Sequence, residues 1–322
     1  MVAVVDGTRL ADAFDRHGRS PLSFLVRYEA PWHAFAVEDG AVAYLEAPRA
    51  AVGWSDPLCP PAAFGDALGS FLEAMRRQRR SICLIAVSEA VARAAVGLGC
   101  SALKIGEEPW FDLTRWRQPR GDPGKKLRWA LNHARKTGVT ISEAGAGDDD
   151  AILDAVARWR AALRRPEPGA FLRTAPLEQR AHKRIFLARR GDAVEAVLAC
   201  AGLPAADAWY LEDLVRVPGA VNGSTELAVV EALSVLQADG AAGAAFALAP
   251  MRGVDRQLDR RARRVGRLLS LTIRGFDRRY GFRKIARYEA RFAPSEWRSR
   301  YVCFSPALPR PAAVRAAVRY LG

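Results

Sequence analysis

The stretch WYLEDLVRVPGAVNGSTEL, Trp209 to Leu227, concentrates side chains that can do chemistry. Its first half reads as a buried strand, yet it carries Glu212, Asp213 and Arg216. Its second half is a Pro/Gly/Asn loop running straight into a helix. Carboxylates can take up a proton or hold an ammonium, and an arginine can hold an oxyanion or a phosphate. Strict alternation puts Asp213 on one strand face and Glu212 and Arg216 on the other. A bulge between Asp213 and Arg216 would let both face one cleft. The competing reading makes them a structural ion pair. Glu226, in the first helical turn, is either a further ammonium ligand or an acid stabilised by the helix dipole.

The elements that must position these residues follow one rhythm twice. In the first half, His33–Ala47 and Ala51–Asp56 read as strands, Pro61–Arg80 as a helix and Ser81–Val87 as a short buried strand. A helix, Ser88–Gly99, and a strand, Ser101–Leu113, follow. In the second half, Arg184–Leu203 is a hairpin-like pair around Gly191, and Ala208–Val217 is a strand. Ser224–Ala241 then reads as a helix, Ala244–Met251 as a buried strand, and Lys284–Phe292 and Ser299–Ser305 as further strands. The expected class is therefore α+β, with residues 1–120 and 139–322 as two similar domains and 121–138 as their connection.

That connection, GDPGKKLRWALNHARKTG, has a proline suited to a helix start and a glycine suited to its stop. Leu127, Leu131 and Ala134 share one face; Lys125, Arg128, Asn132, Arg135 and Lys136 share another. No acid interrupts Lys125 to Lys136, including Lys126, which favours a phosphate-binding strip over a solvated connector. Across the chain, 49 Lys and Arg against 35 acids give a net charge of +14. This excess points to a polyanionic partner, nucleic acid or anionic membrane, unless it only reflects an arginine-rich proteome. The five cysteines are scattered among apolar neighbours without CxxC spacing, which reads as reduced core residues in a cytoplasmic protein. The four histidines lack ligand spacing, so no metal is expected. No apolar run is long enough to cross a membrane.

The repeated strand and helix order resembles the GCN5-related N-acetyltransferase (GNAT) fold, and four motifs narrow the resemblance. KIGEEPWFDL, Lys104 to Leu113, is similar to the KIGEE–hydrophobic–DL signature of the lysyl-phosphatidylglycerol synthase catalytic region, also called the multiple peptide resistance factor family. GKKLRWALNHARKTGVTISE resembles that family's basic inter-domain helix, and LEDLVRVPGAVNGSTEL its D-L-x-R strand end and P-x-x-N-G-S/T-x-D/E loop. YEARFAPSEWRSRYV, Tyr288 to Val302, resembles its closing motif, with Glu289 where members often carry lysine. The membrane-spanning flippase portion of the best-known members has no counterpart in this sequence.

The resemblance implies tandem GNAT-like domains joined by a basic helix, moving an aminoacyl group from charged tRNA to the hydroxyl of phosphatidylglycerol or a related lipid. The near alternative is transfer to a soluble amine or hydroxyl compound. The co-substrate is aminoacyl-tRNA, with no cofactor, and the chain would meet the inner membrane face only peripherally. It places Asp213, Arg216 and Glu226 in catalysis, Glu212, Asn222, Tyr288 and Arg291 on the substrates, and Lys125, Lys126, Arg128, Arg135 and Lys136 on tRNA. Arg291 is expected on a strand, reaching the acceptor phosphate.

A CoA-dependent N-acyltransferase is the third reading. Such enzymes carry Q/R-x-x-G-x-G/A at this loop, whose amides cradle a pyrophosphate. Here Ala220 and Thr225 stand at two of those positions, and the first-half loop DPLCPPAAF has prolines that remove donors. The arginine-rich run Arg252–Arg279 reads as part paired helical face, part surface for acidic lipid or RNA.

Overall fold

The computed structural model describes residues 7–164, 167, 173–258 and 282–321. Most of the arginine-rich run lies outside them. The chain opens with α1 (Gly7–His17) and a 3₁₀ turn, Pro21–Arg27, then forms an antiparallel run of β1 (Trp32–Val37), β2 (Gly40–Ala47) and β3 (Ala50–Trp54). After it come α2 (Phe64–Arg77), β4 (Ser81–Ser88), α3 (Glu89–Gly97) and β5 (Ser101–Asp112). The connecting helix is α4 (Lys125–Lys136), followed by β6 (Val139–Glu143) and α5 (Asp149–Ala161). Then come β7 (Lys183–Arg190), β8 (Ala193–Leu203), β9 (Ala208–Arg216), α6 (Ser224–Ala238), β10 (Gly243–Phe246) and β11 (Ala249–Pro250). The described C-terminal part holds α7 (Phe282–Glu289), β12 (Glu296–Ser305) and α8 (Pro311–Leu321).

One strand–helix–strand unit of the expected rhythm recurs in each half. β3 runs parallel to β4 with α2 as crossover, and β9 runs parallel to β10 with α6 as crossover. Parallel neighbours cannot be joined by a tight turn, so each helix must lie back on a sheet face. On α2, Leu68, Phe71, Leu72 and Met75 recur at helical spacing and are all buried. Each such burial stabilises the fold by about 1.5–3 kcal/mol, and truncating Phe71 to Ala would cost about 3–5 kcal/mol. α6 is buried nearly all round because it lies between the sheet and α4.

The strands form one mixed sheet in the order β1-β2-β3-β4-β12-β5-β10-β9-β8-β7-β6, with β11 paired to β5. β12, late in the chain, is laid antiparallel between β4 and β5. β5 and β10 pair antiparallel and carry the sheet from one half to the other.

The strand expected at Lys284–Phe292 is instead helix α7 with a 3₁₀ turn, Ala290–Phe292. Short apolar alternation and helical spacing are hard to separate. Burial decides here: Tyr288 and Phe292, one turn apart, meet edge to face at 5.3 Å, and Phe292 is fully buried. Tyr288 and Arg291 are therefore presented from helical backbone.

Candidate functional site

The pairing of β9 with β10 stops at Leu211 opposite Phe246. From Glu212 onward β9 keeps only β8 beside it, and a cleft of about 650 Å³ opens where the parallel strands part. The expected bulge lies earlier than predicted. Asp213 pairs with Ala199 and Leu211 with Cys200, so Glu212 is the extra residue. Glu212 and Asp213 consequently both line the cleft, with Tyr210 beside them. Glu289 and Tyr288 of α7 face them, and Arg173, Lys284 and Arg291 add positive charge to the lining.

Arg216 is not among the lining residues. Its Nη2 donates to the Ala220 carbonyl at 2.7 Å and to Asn222 Oδ1 at 3.0 Å, tying down the loop before α6. Arg216 and Asn222 are thus brought to each other rather than to the cavity, and neither the expected pairing of Arg216 with Asp213 nor its exposure to the cleft occurs. Glu226 lies in the first turn of α6, as expected, but is held by Arg291 Nη1 at 2.7 Å and by the Thr225 hydroxyl at 2.9 Å.

Asp213 is buried, and its Oδ2 accepts the Ala175 amide at 3.1 Å. Burial first, and then the charge of Glu212, push its carboxyl up to about 7, against the pull of Lys183 and the Ala175 amide. Glu212 itself is compensated. Its Oε2 lies 2.7 Å from Nζ of Lys183, a side chain with no exposed surface, and it accepts the hydroxyl of Tyr28. Lys183 also donates to the Tyr28 hydroxyl at 2.7 Å and to the Ala175 carbonyl at 3.1 Å. Two neighbouring acids thus differ: one is ion-paired with Lys183, the other is pushed up to about 7 by burial.

Glu289 is 4% exposed and its Oε2 has no hydrogen-bond partner. Burial and the charge of Glu108 push it up to about 8, with Arg252 opposing. Burial, followed by the charges of Glu212, Asp213, Glu108 and Glu289, raises the Tyr210 phenol well above its ordinary value. Tyr210 therefore stays protonated among four carboxyl groups, and a protonated phenol can donate to an oxyanion.

The acids of KIGEE stand behind the cleft and serve the seam. Glu107 pairs with Lys104 at 2.6 Å and Arg252 at 3.1 Å, and Glu108 with Arg300 of the inserted β12 at 2.5 Å. Loss of Arg300 or Lys104 would leave a desolvated charge on these buried acids.

Three amides of the loop before α6 are committed internally. The Val221 amide donates to Glu195 Oε2 at 2.6 Å, Ala220 to the Val217 carbonyl and Ser224 to that of Val221. A carboxylate of the protein thus holds a donor that a pyrophosphate would need, which weighs against CoA. Gly223 sits at φ +97°, and a Cβ there would come within 2.1 Å of the Ala130 carbonyl oxygen. Only glycine meets both demands, which locks the loop against α4.

α4 buries Leu127, Ala130, Leu131 and Ala134. Its cations do not form a single strip: Arg135 pairs with Glu231 of α6 at 2.7 Å and Arg128 is half-buried, while Lys125, Lys126 and Lys136 are exposed. Tyr28 and Lys183 were missed from sequence. Lys183 carried a weak signal, a cation heading a buried strand, whereas Tyr28 carried none.

Among the described residues, no cluster of three or more His, Cys, Asp or Glu could hold a metal, and no helix is long and apolar enough to cross a membrane. A sequence model of the family described as phosphatidylglycerol lysyltransferase, C-terminal, matches residues 12–304. Comparison with curated proteins finds no match. Among solved structures, the chain is similar to the C-terminal domain of a putative lysylphosphatidylglycerol synthetase from Agrobacterium fabrum, with 20% identity and a TM-score of 0.79, covering 98% of this chain and 94% of that one. It is similar to L-PGS from Bacillus licheniformis, with 16% identity and a TM-score of 0.78, covering 98% and 97%. A conserved protein of unknown function from Bacteroides thetaiotaomicron follows at 10% identity and a TM-score of 0.64, covering 94% and 99%.

Proposed function

The chain belongs to the family described as phosphatidylglycerol lysyltransferase, C-terminal, and from that membership together with the cleft we propose an aminoacyltransferase that carries an aminoacyl group from charged tRNA to the hydroxyl of phosphatidylglycerol or a related anionic lipid. The ester donor is already activated, so the enzyme must align two substrates, take up one proton and stabilise one oxyanion. The acceptor oxygen attacks the ester carbonyl while its proton passes to Asp213. The tetrahedral intermediate then collapses, the ribose oxygen leaves, and Asp213 returns the proton to it.

Tyr210 is suited to donate to the oxyanion, one of the tasks open to Arg216 from the sequence. Glu289 lines the cleft with an unpartnered Oε2, and an arriving ammonium would favour its ionised form, so it suits the donor's amino group. Lys284 supplies positive charge for phosphate, with Arg173 and Arg291 beside it already ion-paired to Glu178 and Glu226, and Leu248 and Ile285 give an apolar wall. The observation carrying this reading is the pairing of an acid poised near pH 7 with the open end of a parted strand pair. A lipid acceptor would bring the chain to the membrane surface.

The test is incubation with a panel of radiolabelled aminoacyl-tRNAs, with and without phosphatidylglycerol vesicles. Label is expected in the organic phase only when vesicles are present. Label entering an aqueous small molecule would move the acceptor to the soluble class, and label that never leaves RNA would end the proposal.

A further inference from the structure

On the outer ridge of α4, Lys125, Trp129, His133 and Lys136 follow one another about a turn apart. Trp129 is 60% exposed, an unusual state for the largest side chain on a well-packed helix. It lies flat on His133, with centroids 5.2 Å apart and an interplanar angle of 4°. The result is a stacked aromatic pair whose indole is largely exposed. Lys125, Lys126 and Lys136 surround it and, among the described residues, none of them has an ion pair, whereas Arg135 on the flank is tied to Glu231.

From this we infer that Trp129, backed by His133, is a stacking platform for an unpaired nucleobase of the RNA that delivers the aminoacyl group. The inference rests on the aminoacyl-tRNA reading above and adds a base-binding subsite to it. Lysines alone give a phosphate-binding face with no preference for base exposure. A flat aromatic surface amid cations adds stacking, which every base can supply. A lipid surface is the weaker occupant. The other apolar residues of α4, Leu127, Ala130, Leu131 and Ala134, are all buried, so a single ring laminated on a histidine has no apolar neighbours to insert with it. The helix that carries the platform is fixed to the loop that precedes α6, because Ala130 packs on Gly223.

The experiment measures binding of the full chain to an RNA minihelix with a single-stranded 3′ end, to the same minihelix made blunt, and to phosphatidylglycerol vesicles. Trp129→Ala is expected to weaken the overhanging minihelix by about tenfold while leaving the salt dependence of binding unchanged, because stacking releases no counterions. Trp129→Phe should restore most of the loss, and the blunt minihelix should be indifferent to both variants. Equal affinity of Trp129→Ala and wild type for the overhanging RNA would overturn the inference. So would an equal loss on the blunt RNA, or a loss confined to vesicles. If the wild-type chain binds neither minihelix, the RNA-donor reading fails first and this one with it.

Discussion

The two parallel strand pairs part at the same point and end differently. β3 and β4 separate after Trp54 opposite Ile85, and an aspartate, Asp56, stands two residues on. β9 and β10 separate after Leu211 opposite Phe246, and Asp213 stands two residues on. Asp56 is taken up at once. Its Oδ1 accepts the Ser88 amide at 2.7 Å, and Arg300 of β12 approaches its Oδ2 to 3.8 Å. Asp213 gains one amide bond and a burial strong enough to push it to about 7, and it faces a cavity. A parted strand pair is therefore only an opportunity. Where the compensating charges land decides whether the acid there becomes structural or chemical. In the first half β12 brings an arginine to the opening; in the second, lysine and tyrosine go to Glu212 and leave its neighbour Asp213 titratable.

The sharpest way to break this contrast is to neutralise both aspartates separately. Asp213→Asn should lower aminoacyl transfer by about 10²–10⁴-fold, the usual contribution of a positioned base. Asp56→Asn should leave transfer intact while destabilising the fold by about 0.5–1.5 kcal/mol, since it weakens a part-buried hydrogen bond and an approach to Arg300. Stability moves oppositely at the other site. Asp213 has a folded pKa above its unfolded one, so its contribution to stability is fully present below about pH 4 and is lost as pH rises through about 7. Asp213→Asn should therefore unfold at a higher temperature than wild type at pH 8. Transfer assays and thermal melts on both variants check this, and equal transfer losses would dissolve the contrast.

The next effect concerns the compensating group. Lys183 has no exposed surface and pairs with Glu212, so Lys183→Met leaves a buried carboxylate without its cation. A loss of about 3–5 kcal/mol in chemical denaturation is expected, with recovery when Glu212→Leu is added. No recovery in the double variant would show that the pair does more than balance charge.

The smallest effect is a shift rather than a loss. Glu212 raises Asp213 by its charge, so Glu212→Gln should lower the Asp213 pKa. A base must be deprotonated to act, so the acid limb of the pH–rate profile should move to lower pH, by roughly one unit. An unmoved limb in an active Glu212→Gln variant would separate Asp213 from the titration that controls transfer.

Much of this was legible in the sequence. The apolar faces of α2 and α4, the hairpin around Gly191, both strand–helix–strand units and the crowded charges at Glu212 to Arg216 follow from local spacing and turn chemistry. The glycine of the VNGS loop was visible as a turn signal, though its contact with Ala130 was not. Lys284–Phe292 was misread because a short apolar pattern fits both periods, and burial against Phe292 and the cleft settles it. The bulge was anticipated, but its position depends on the register with β8, which no residue of β9 announces.

The sequence by itself determined the elements and the presence of acids and cations among them, because hydrophobic period, caps and turns act over a few residues. The tertiary structure alone decided which acid is free. Tyr28 meets Glu212 across 184 residues of chain, and Arg300 meets Glu108 across 192. Burial and charge pairing depend on distance in space, so the protonation state of a carboxyl group is a property of the packed sheet and of no local stretch of sequence.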